Sequence, residues 1–516
     1  MLDLGRTFLQ SVERSPQALA VVDGNTRLTY GDWGERILAV AGGLERLGLR
    51  HGDHLLAILQ NRVEMATLHW ACQFLGVIIT PLNWRAKPDE VEYCLADSGA
   101  RVLVFEAVAA EAVAGSQTAQ GCVRIGVGEG VGDVATVAFA SLYDGPALTG
   151  GPGAGADDVS LMLYTSGTTG KPKGVPRRHR HERAAALAHV AQNLYRSGER
   201  TLGVMPLYHT MGVRSLLAMA LIDGVFVCMP RFDAARALSL IEAEGVTNLY
   251  LVPTLYHDLL AHADFATRDI SSVRKLGFAG APMPDGLLLR LEQAFRPELF
   301  VNHYGSSEVY TFSINQDARA RPGSAGRAGI NARLRVVRLD AEGPDGIAAV
   351  GEEGQIIADL AGDEAFDGYW KRADADAKAL RGGWYFTGDT GYFDERGELF
   401  VTGRVDDMII SGGENISPVD IESVLSLHPD VDEVAVAGLE DERWGQRVVA
   451  FVRRRSGTAV DADALDAYCR STDLANFKRP REYVFVAEVP KSPVGKILRR
   501  KLVAGEYEAE TASESL

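Results

Sequence analysis

The segment that most limits what this chain can be is Tyr164-Thr-Ser-Gly-Thr-Thr-Gly-Lys-Pro-Lys-Gly174. It closes an apolar, strand-like run that begins at Val159. Four Ser and Thr hydroxyls and three glycines lie within it. Glycines let backbone N–H groups converge on an anion, and hydroxyls add further donors. Lys171 and Lys173 supply charge suited to a polyphosphate. Pro172 stands where a Walker A loop needs Ser or Thr after its lysine, so that loop is excluded. The segment reads as a phosphate-binding loop of another kind.

The surrounding pattern is that of an α/β protein. Ile37 to Leu47 and Val63 to Leu75 have helical periodicity, and His54 to Leu59 and Val77 to Pro81 are strand-like. Such alternation predicts βαβ units and a largely parallel sheet. Gly150 to Ala156 reads as a surface loop. Later come helix Ala234 to Ala243, strand Asn248 to Val252, helix Asp285 to Phe295 and strand Phe300 to His303. After about Arg321 the pattern turns to strands, such as Leu334 to Leu339 and Gln355 to Asp359. A smaller α+β unit starts near Arg404. Its predicted elements are helix Pro418 to Ser426, strands Val431 to Ala437 and Val448 to Arg453, helix Ala462 to Arg470 and strand Glu482 to Phe485. A chain of 516 residues exceeds one compact core, so several domains are expected.

The net charge of −16 argues against a nucleic-acid partner. Two local basic clusters, 177–183 and 478–481, could bind phosphates or simply be solvated. The five cysteines, Cys72, Cys94, Cys122, Cys228 and Cys469, show no metal or redox spacing. Reduced thiols in a cytoplasmic protein are the simplest expectation. No secretory signal is visible at the N-terminus. The longest apolar stretch, Ser215 to Pro230, is broken by Asp223 and Gly224, so no integral membrane segment is expected. A homodimer is compatible with the sequence.

With the phosphate loop, seven further motifs occur in order. They are Met205-Pro-Leu-Tyr-His209, Gly280-Ala-Pro282, Tyr304-Gly-Ser-Ser-Glu308, Trp384-Tyr-Phe-Thr-Gly-Asp389, Gly403-Arg-Val-Asp-Asp407, Gly412-Gly-Glu-Asn415 and Pro490-Lys-Ser-Pro-Val-Gly-Lys496. Together they resemble the acyl-adenylate-forming (AMP-binding) superfamily, and its acyl-CoA synthetases in particular. Gly403 to Ile416, Arg443-Trp-Gly-Gln446 and Phe477-Lys-Arg-Pro480 look most like the 4-chlorobenzoate–CoA ligase type. The resemblance implies a large N-terminal domain of stacked αβ sheets plus a β-rich subdomain, with a small mobile α+β C-terminal domain. Its expected bounds are 1–403, a hinge at 404–408, 409–505, and a polar tail at 506–516 that frays.

The resemblance also implies roles. ATP and a carboxylic acid form an acyl-adenylate and pyrophosphate; CoA then displaces AMP. Bringing two anions together requires neutralised charge and in-line positioning. Thr165, Ser166, Gly167, Thr168, Thr169, Gly170, Lys171 and Lys173 would hold phosphates. Gly305, Ser306 and Ser307 would lead to Glu308, the expected anchor for Mg²⁺. Asp389 would accept from ribose hydroxyls with Arg404 assisting. Tyr304 would face adenine, with Gly280, Ala281 and Pro282 opposite. Lys496, with His209 and Thr168, is the catalytic candidate. Asp406 is the expected hinge. Arg85, Gly412, Gly413, Trp444, Phe477, Arg479 and Arg481 would bind CoA.

His209, Thr210, Ala188, Phe278, Ala279, Gly280, His303, Val309 and Tyr310 would line the acid pocket. Ala184, Ala185, Ala186 and Ala188 would keep one wall helix slim. An aromatic or heteroaromatic acid of benzoate or furoate type is expected, with a medium-chain or branched aliphatic acid as the alternative. Two rival readings remain: transfer to a carrier protein instead of CoA, and a catalytically silent nucleotide-binding relative.

Overall fold

The computed structural model describes residues 2–165, 171–491 and 497–510. Strands His54–Ile58, Ile78–Pro81 and Val102–Glu106 pair in parallel within a seven-stranded sheet. All three are buried along their length, which is why they read as continuous apolar runs rather than alternating ones. Val159–Thr165 joins this sheet beside Ile78–Pro81, and Lys173–Arg178 folds back antiparallel onto it with Thr165 opposite Lys173. The described ends of the phosphate-loop segment, Thr165 and Lys173, are thus paired at the sheet edge.

A second sheet has fourteen strands. Leu19–Asp23, Val225–Cys228, Arg200–Gly203, Asn248–Leu251, Lys275–Phe278 and Leu299–Tyr304 form its parallel half, in that spatial order. The β-rich region after Arg321 continues the same sheet by antiparallel pairing, through Ser313–Asn315, Ser324–Ala328, Leu399–Arg404, Trp384–Phe393, Gly354–Asp359 and Leu334–Val337. One sheet thus carries both Tyr304 and Asp389.

Apolar side chains from both sheets and from helices Leu4–Arg14, Val63–Leu75, His179–Gln192 and Thr210–Leu221 share one core. Val63–Leu75 is buried on all sides from Met65 onward, as a helix between two sheets must be. Ala185 and Ala186 belong to this core with Trp33 and Val213. Their small size lets the helices approach closely, so this part of the alanine run serves packing. Among the described residues, no helix is long and apolar enough to cross a membrane.

The C-terminal part has its own five-stranded sheet and its own core, including Ile421, Leu425, Val436, Ala450 and Leu465. Helix Pro418–Ser426 starts on proline, whose missing N–H costs nothing there. Contacts between described residues that join this part to the rest include the following. The Ser417 hydroxyl donates to the Thr402 carbonyl. His257 Nε2 lies 2.9 Å from Asp432 Oδ1. Gly286 packs so tightly that a Cβ there would sit 2.5 Å from the Ser426 carbonyl oxygen.

Candidate functional site

The loop after strand Leu299–Tyr304 is built for one carboxylate. A Cβ on Gly305 would fall 2.0 Å from the Tyr310 carbonyl oxygen, so only glycine fits. The Ser306 hydroxyl accepts from the backbone N–H groups of Glu308 and Val309, both at 3.2 Å. Arg177 and the Phe366 N–H hold the Glu308 carbonyl at 2.9 Å each. The Glu308 side chain is buried, and Tyr369 donates its hydroxyl to Oε1 at 2.7 Å. Lys173 Nζ sits 4.1 Å above the Tyr369 ring. Burial pushes the Lys173 ammonium below its usual range, against the opposing pull of Glu308. Lys171 instead lies over Tyr93, 5.2 Å from the ring centre.

Asp389 lies across the same sheet. Tyr304 donates its hydroxyl to Asp389 Oδ2 at 2.5 Å, and Arg404 donates to Oδ1 at 2.8 Å. Asp389 and Arg404 face each other as a rung between strands Trp384–Phe393 and Leu399–Arg404. An ionised carboxylate only accepts hydrogen bonds, the chemistry that diol hydroxyls require. Tyr304, Phe312, Phe366, Tyr369 and Tyr385 share an apolar floor that joins Asp389 to the Glu308 region. Gly280 has φ +84°, and with Pro282 it is exposed.

On the acid side, Asn61 pins the loop before His209. Its amide donates to the carbonyls of Gly203 and Met205, and its oxygen accepts from the Leu207 N–H. His209 is the N-cap of helix Thr210–Leu221, and its Nδ1 lies 3.4 Å from the Met211 N–H. A Cβ on Gly280 would lie 3.9 Å from Met211 Sδ, so the two predicted walls meet. Ala188, Phe278, Ala279, His303, Val309, Tyr310 and Thr210 are all buried. Tyr310 donates its hydroxyl to Glu182 at 3.0 Å, and its ring lies 4.1 Å below Arg177. The geometry makes Tyr310 part of a clamp behind the pocket. The first basic cluster is only partly solvated, with Arg180 exposed. Arg177 is fully buried on Glu182, and Arg178 is paired with Asp367.

On the C-terminal part, Gly412 has φ +62°, and a Cβ there would strike Trp444 at 2.8 Å. Its N–H donates to the Trp444 carbonyl at 2.8 Å. Arg443 and Arg481 stand 4.8 and 5.6 Å from the Trp444 ring. Gly412, Gly413, Trp444, Phe477 and Arg481 are exposed. Arg479 is drawn inward, donating to Asp466 at 2.6 Å. Arg85 lies over its neighbour Trp84, 3.7 Å from the ring centre. Asp406 falls in the short turn Val405–Asp407. Ser166, Gly167, Thr168, Thr169, Gly170 and Lys496 lie outside the described residues.

Sequence reasoning did not single out Tyr369, Arg214, Asn193, His189 or Tyr250, and it read Arg177 only as one end of a basic cluster. The one available signal was the polar set His189, Gln192 and Asn193, recurring at helical spacing among alanines.

Residues 8–370 match the family described as AMP-binding enzyme, and residues 420–496 match the AMP-binding enzyme C-terminal domain. The chain belongs to the AMP-binding enzyme family. It is 35% identical to a feruloyl-CoA synthase of Amycolatopsis sp, covering 96% of this chain and 97% of that protein. A 4-chlorobenzoate–CoA ligase of Arthrobacter sp is 34% identical over 95% and 93%. The long-chain-fatty-acid–CoA ligase FadD13 of Mycobacterium tuberculosis is 33% identical over 97% and 98%. The crystal structure of the anthranilate CoA ligase AuaEII with anthranoyl-AMP superimposes with a TM-score of 0.90 at 27% identity, covering 98% and 97%. The likeness is thus shared among several acid–CoA ligases and is not peculiar to the chlorobenzoate type.

Proposed function

We propose that this chain activates an aromatic or heteroaromatic acid with ATP and transfers the acyl group to CoA. The enzyme class, an acyl-adenylate-forming CoA ligase, follows from family membership. One observation carries the reading of the site: a single apolar floor holds a diol-accepting Asp389 and a buried Glu308 beside the hairpin that presents Lys173. Asp389 would hold the ribose, Tyr304 would face adenine, and residues 165–173 would grip phosphates. Glu308 suits Mg²⁺, which commonly takes one or two carboxylates together with substrate phosphates. The ion would neutralise phosphate charge there. Lys173 would add to the same field.

Lys496 would stabilise charge between carboxylate and α-phosphate during adenylation. Turning of the C-terminal part about Asp406 would then withdraw it. Gly412, Trp444, Phe477 and Arg481 would receive CoA, with Arg85 as a further phosphate contact. Identity to the feruloyl and chlorobenzoate enzymes supports an aromatic acid. The comparable identity to FadD13 favours an aliphatic acid as the second reading.

Lys496→Ala tests the division of labour. Acid-dependent ATP–pyrophosphate exchange should fall at least about 100-fold, while thioester formation from preformed acyl-AMP stays near wild type. Equal loss in both half-reactions would contradict the assignment.

A further inference from the structure

Behind the acid pocket lies a set of polar side chains that the nucleotide chemistry does not use and of which the family resemblance implies only His303, as a pocket wall. His189 comes from helix His179–Gln192, Tyr250 from strand Asn248–Leu251 and His303 from strand Leu299–Tyr304. Their rings are mutual neighbours, with centres 4.7 to 5.2 Å apart. Each is at most 3% exposed. Arg214 is equally buried, with its guanidinium 5.8 Å from the Tyr250 ring centre. A Cβ on Gly277 would lie 3.1 Å from the Tyr250 ring, 3.6 Å from Asn193 Oδ1 and 3.7 Å from His303 Nε2. That strand continues into Phe278, Ala279 and Gly280, the predicted pocket wall.

Asn193 sets the hydrogen-bonding sense of this cluster. Its amide Nδ2 donates to the His189 carbonyl at 2.7 Å, which fixes which side-chain atom is nitrogen. Nδ2 also lies 3.0 Å from His189 Nδ1, and Oδ1 lies 3.0 Å from His303 Nε2. Burial and the Arg214 charge hold both imidazoles well below their usual range, so both are neutral. His189 Nδ1 therefore accepts and its Nε2 carries the proton. His303 Nε2 donates, leaving Nδ1 as a bare acceptor. Among the described residues, His189 Nε2, His303 Nδ1, the Tyr250 hydroxyl and Arg214 Nε have no protein partner. Buried polar atoms are ordinarily satisfied, and a cluster of four that are not points to a ligand group.

We propose that this cluster recognises a hydroxyl carried by the acid at the end remote from its carboxylate. The hydroxyl would accept from His189 Nε2–H and donate to His303 Nδ1, with Tyr250 and Arg214 at its rim. This deepens the acid–CoA ligase reading and rests on it. The complementary donor and bare acceptor favour a neutral group over a second carboxylate, which would face the His303 lone pair.

The test uses the full-length enzyme with benzoates and cinnamates bearing a hydroxyl at each ring position, each paired with its methyl counterpart. Acid-dependent pyrophosphate exchange and AMP release with CoA give kcat/KM. At least one hydroxy acid should exceed both its methyl counterpart and the unsubstituted acid by about tenfold or more, because a site built around a hydroxyl discriminates strongly against its loss. Tyr250→Phe and His189→Leu should each bring the hydroxy-to-methyl ratio toward one. Activation of aromatic acids with no hydroxyl preference in the wild type overturns this proposal and leaves the ligase reading intact. So does activation of unsubstituted fatty acids alone. Failure to activate any acid overturns the ligase reading itself.

Discussion

At the start of helix His179–Gln192, Arg177 and Glu182 form an ion pair with no exposed side-chain surface; at its end, His189 and Asn193 meet His303 with as little exposure. Burial is the same and satisfaction is not. Arg177 donates to Glu182, to the Glu308 carbonyl and to the Glu364 carbonyl, and stacks on Tyr310. Only its NH2 group lacks a polar partner. Glu182 accepts from both Arg177 and Tyr310. Charges taken from water are tolerated when their bonds are made inside, and such a pair acts as scaffold. The far cluster keeps its capacity open, as a recognition site must. The same helix thus carries a brace for Glu308 and a reader for the acid.

Breaking the brace should have the largest effect. Arg177→Met leaves Glu182 buried and unpaired, and should cost about 3–5 kcal/mol in denaturant unfolding. A loss under about 1 kcal/mol would show that the pair carries little of the fold. Tyr310→Phe removes one bond to a buried carboxylate and should cost about 1.5–3 kcal/mol, with the hydroxy-to-methyl acid ratio unchanged.

His257 and Asp432, paired between the two parts of the chain, extend the comparison to a satisfied pair that titrates. Hydrogen bonds to Asp258 and Asp432 raise His257 to about 9, against its burial; Glu433 pulls the same way, and Arg453 shares Asp432. A raised value means the contact is complete below about pH 6.5 and is lost as pH climbs through 9. His257→Gln should therefore lower the free energy of unfolding at pH 6, by an amount on the order of 1–2 kcal/mol, and hardly at all at pH 10. A pH-independent difference would remove the pair from this role. The smallest effect belongs to Tyr250→Phe, whose hydroxyl has no partner to lose. Its stability should stay within about 0.5 kcal/mol of wild type, the opposite of the identical change at Tyr310.

Local signals made much of the fold legible. Val63–Leu75, Asp285–Phe295, Pro418–Ser426, Ala462–Arg470 and Glu482–Phe485 have the bounds that periodicity predicts. Punctuation helps: Asp461 caps the Ala464 N–H, and Arg296 turns left-handed after Phe295. The helix expected from Ile37 begins at Tyr30 instead, because Thr29 and Asp32 form a capping box that Gly31 and Gly34 disguise. Strands Val431–Asp441 and Gly445–Arg454 overrun their apolar cores because they pair as one long hairpin. The nucleotide-side candidates were visible because hydroxyls, glycines and a carboxylate are crowded into short segments. His189 and Tyr250 were not, since each comes from a different element and alone looks like an ordinary core residue; His303 was named only as a pocket wall, through the resemblance.

The rung between Asp389 and Arg404 has a mechanical meaning. If the polypeptide swivels just beyond Arg404, its fixed bearing would be the proposed seat of the nucleotide's sugar. On the proposed roles the stator would stay put while the arm sweeps, so the adenylate would keep its register as the incoming thiol replaced the departing lysine.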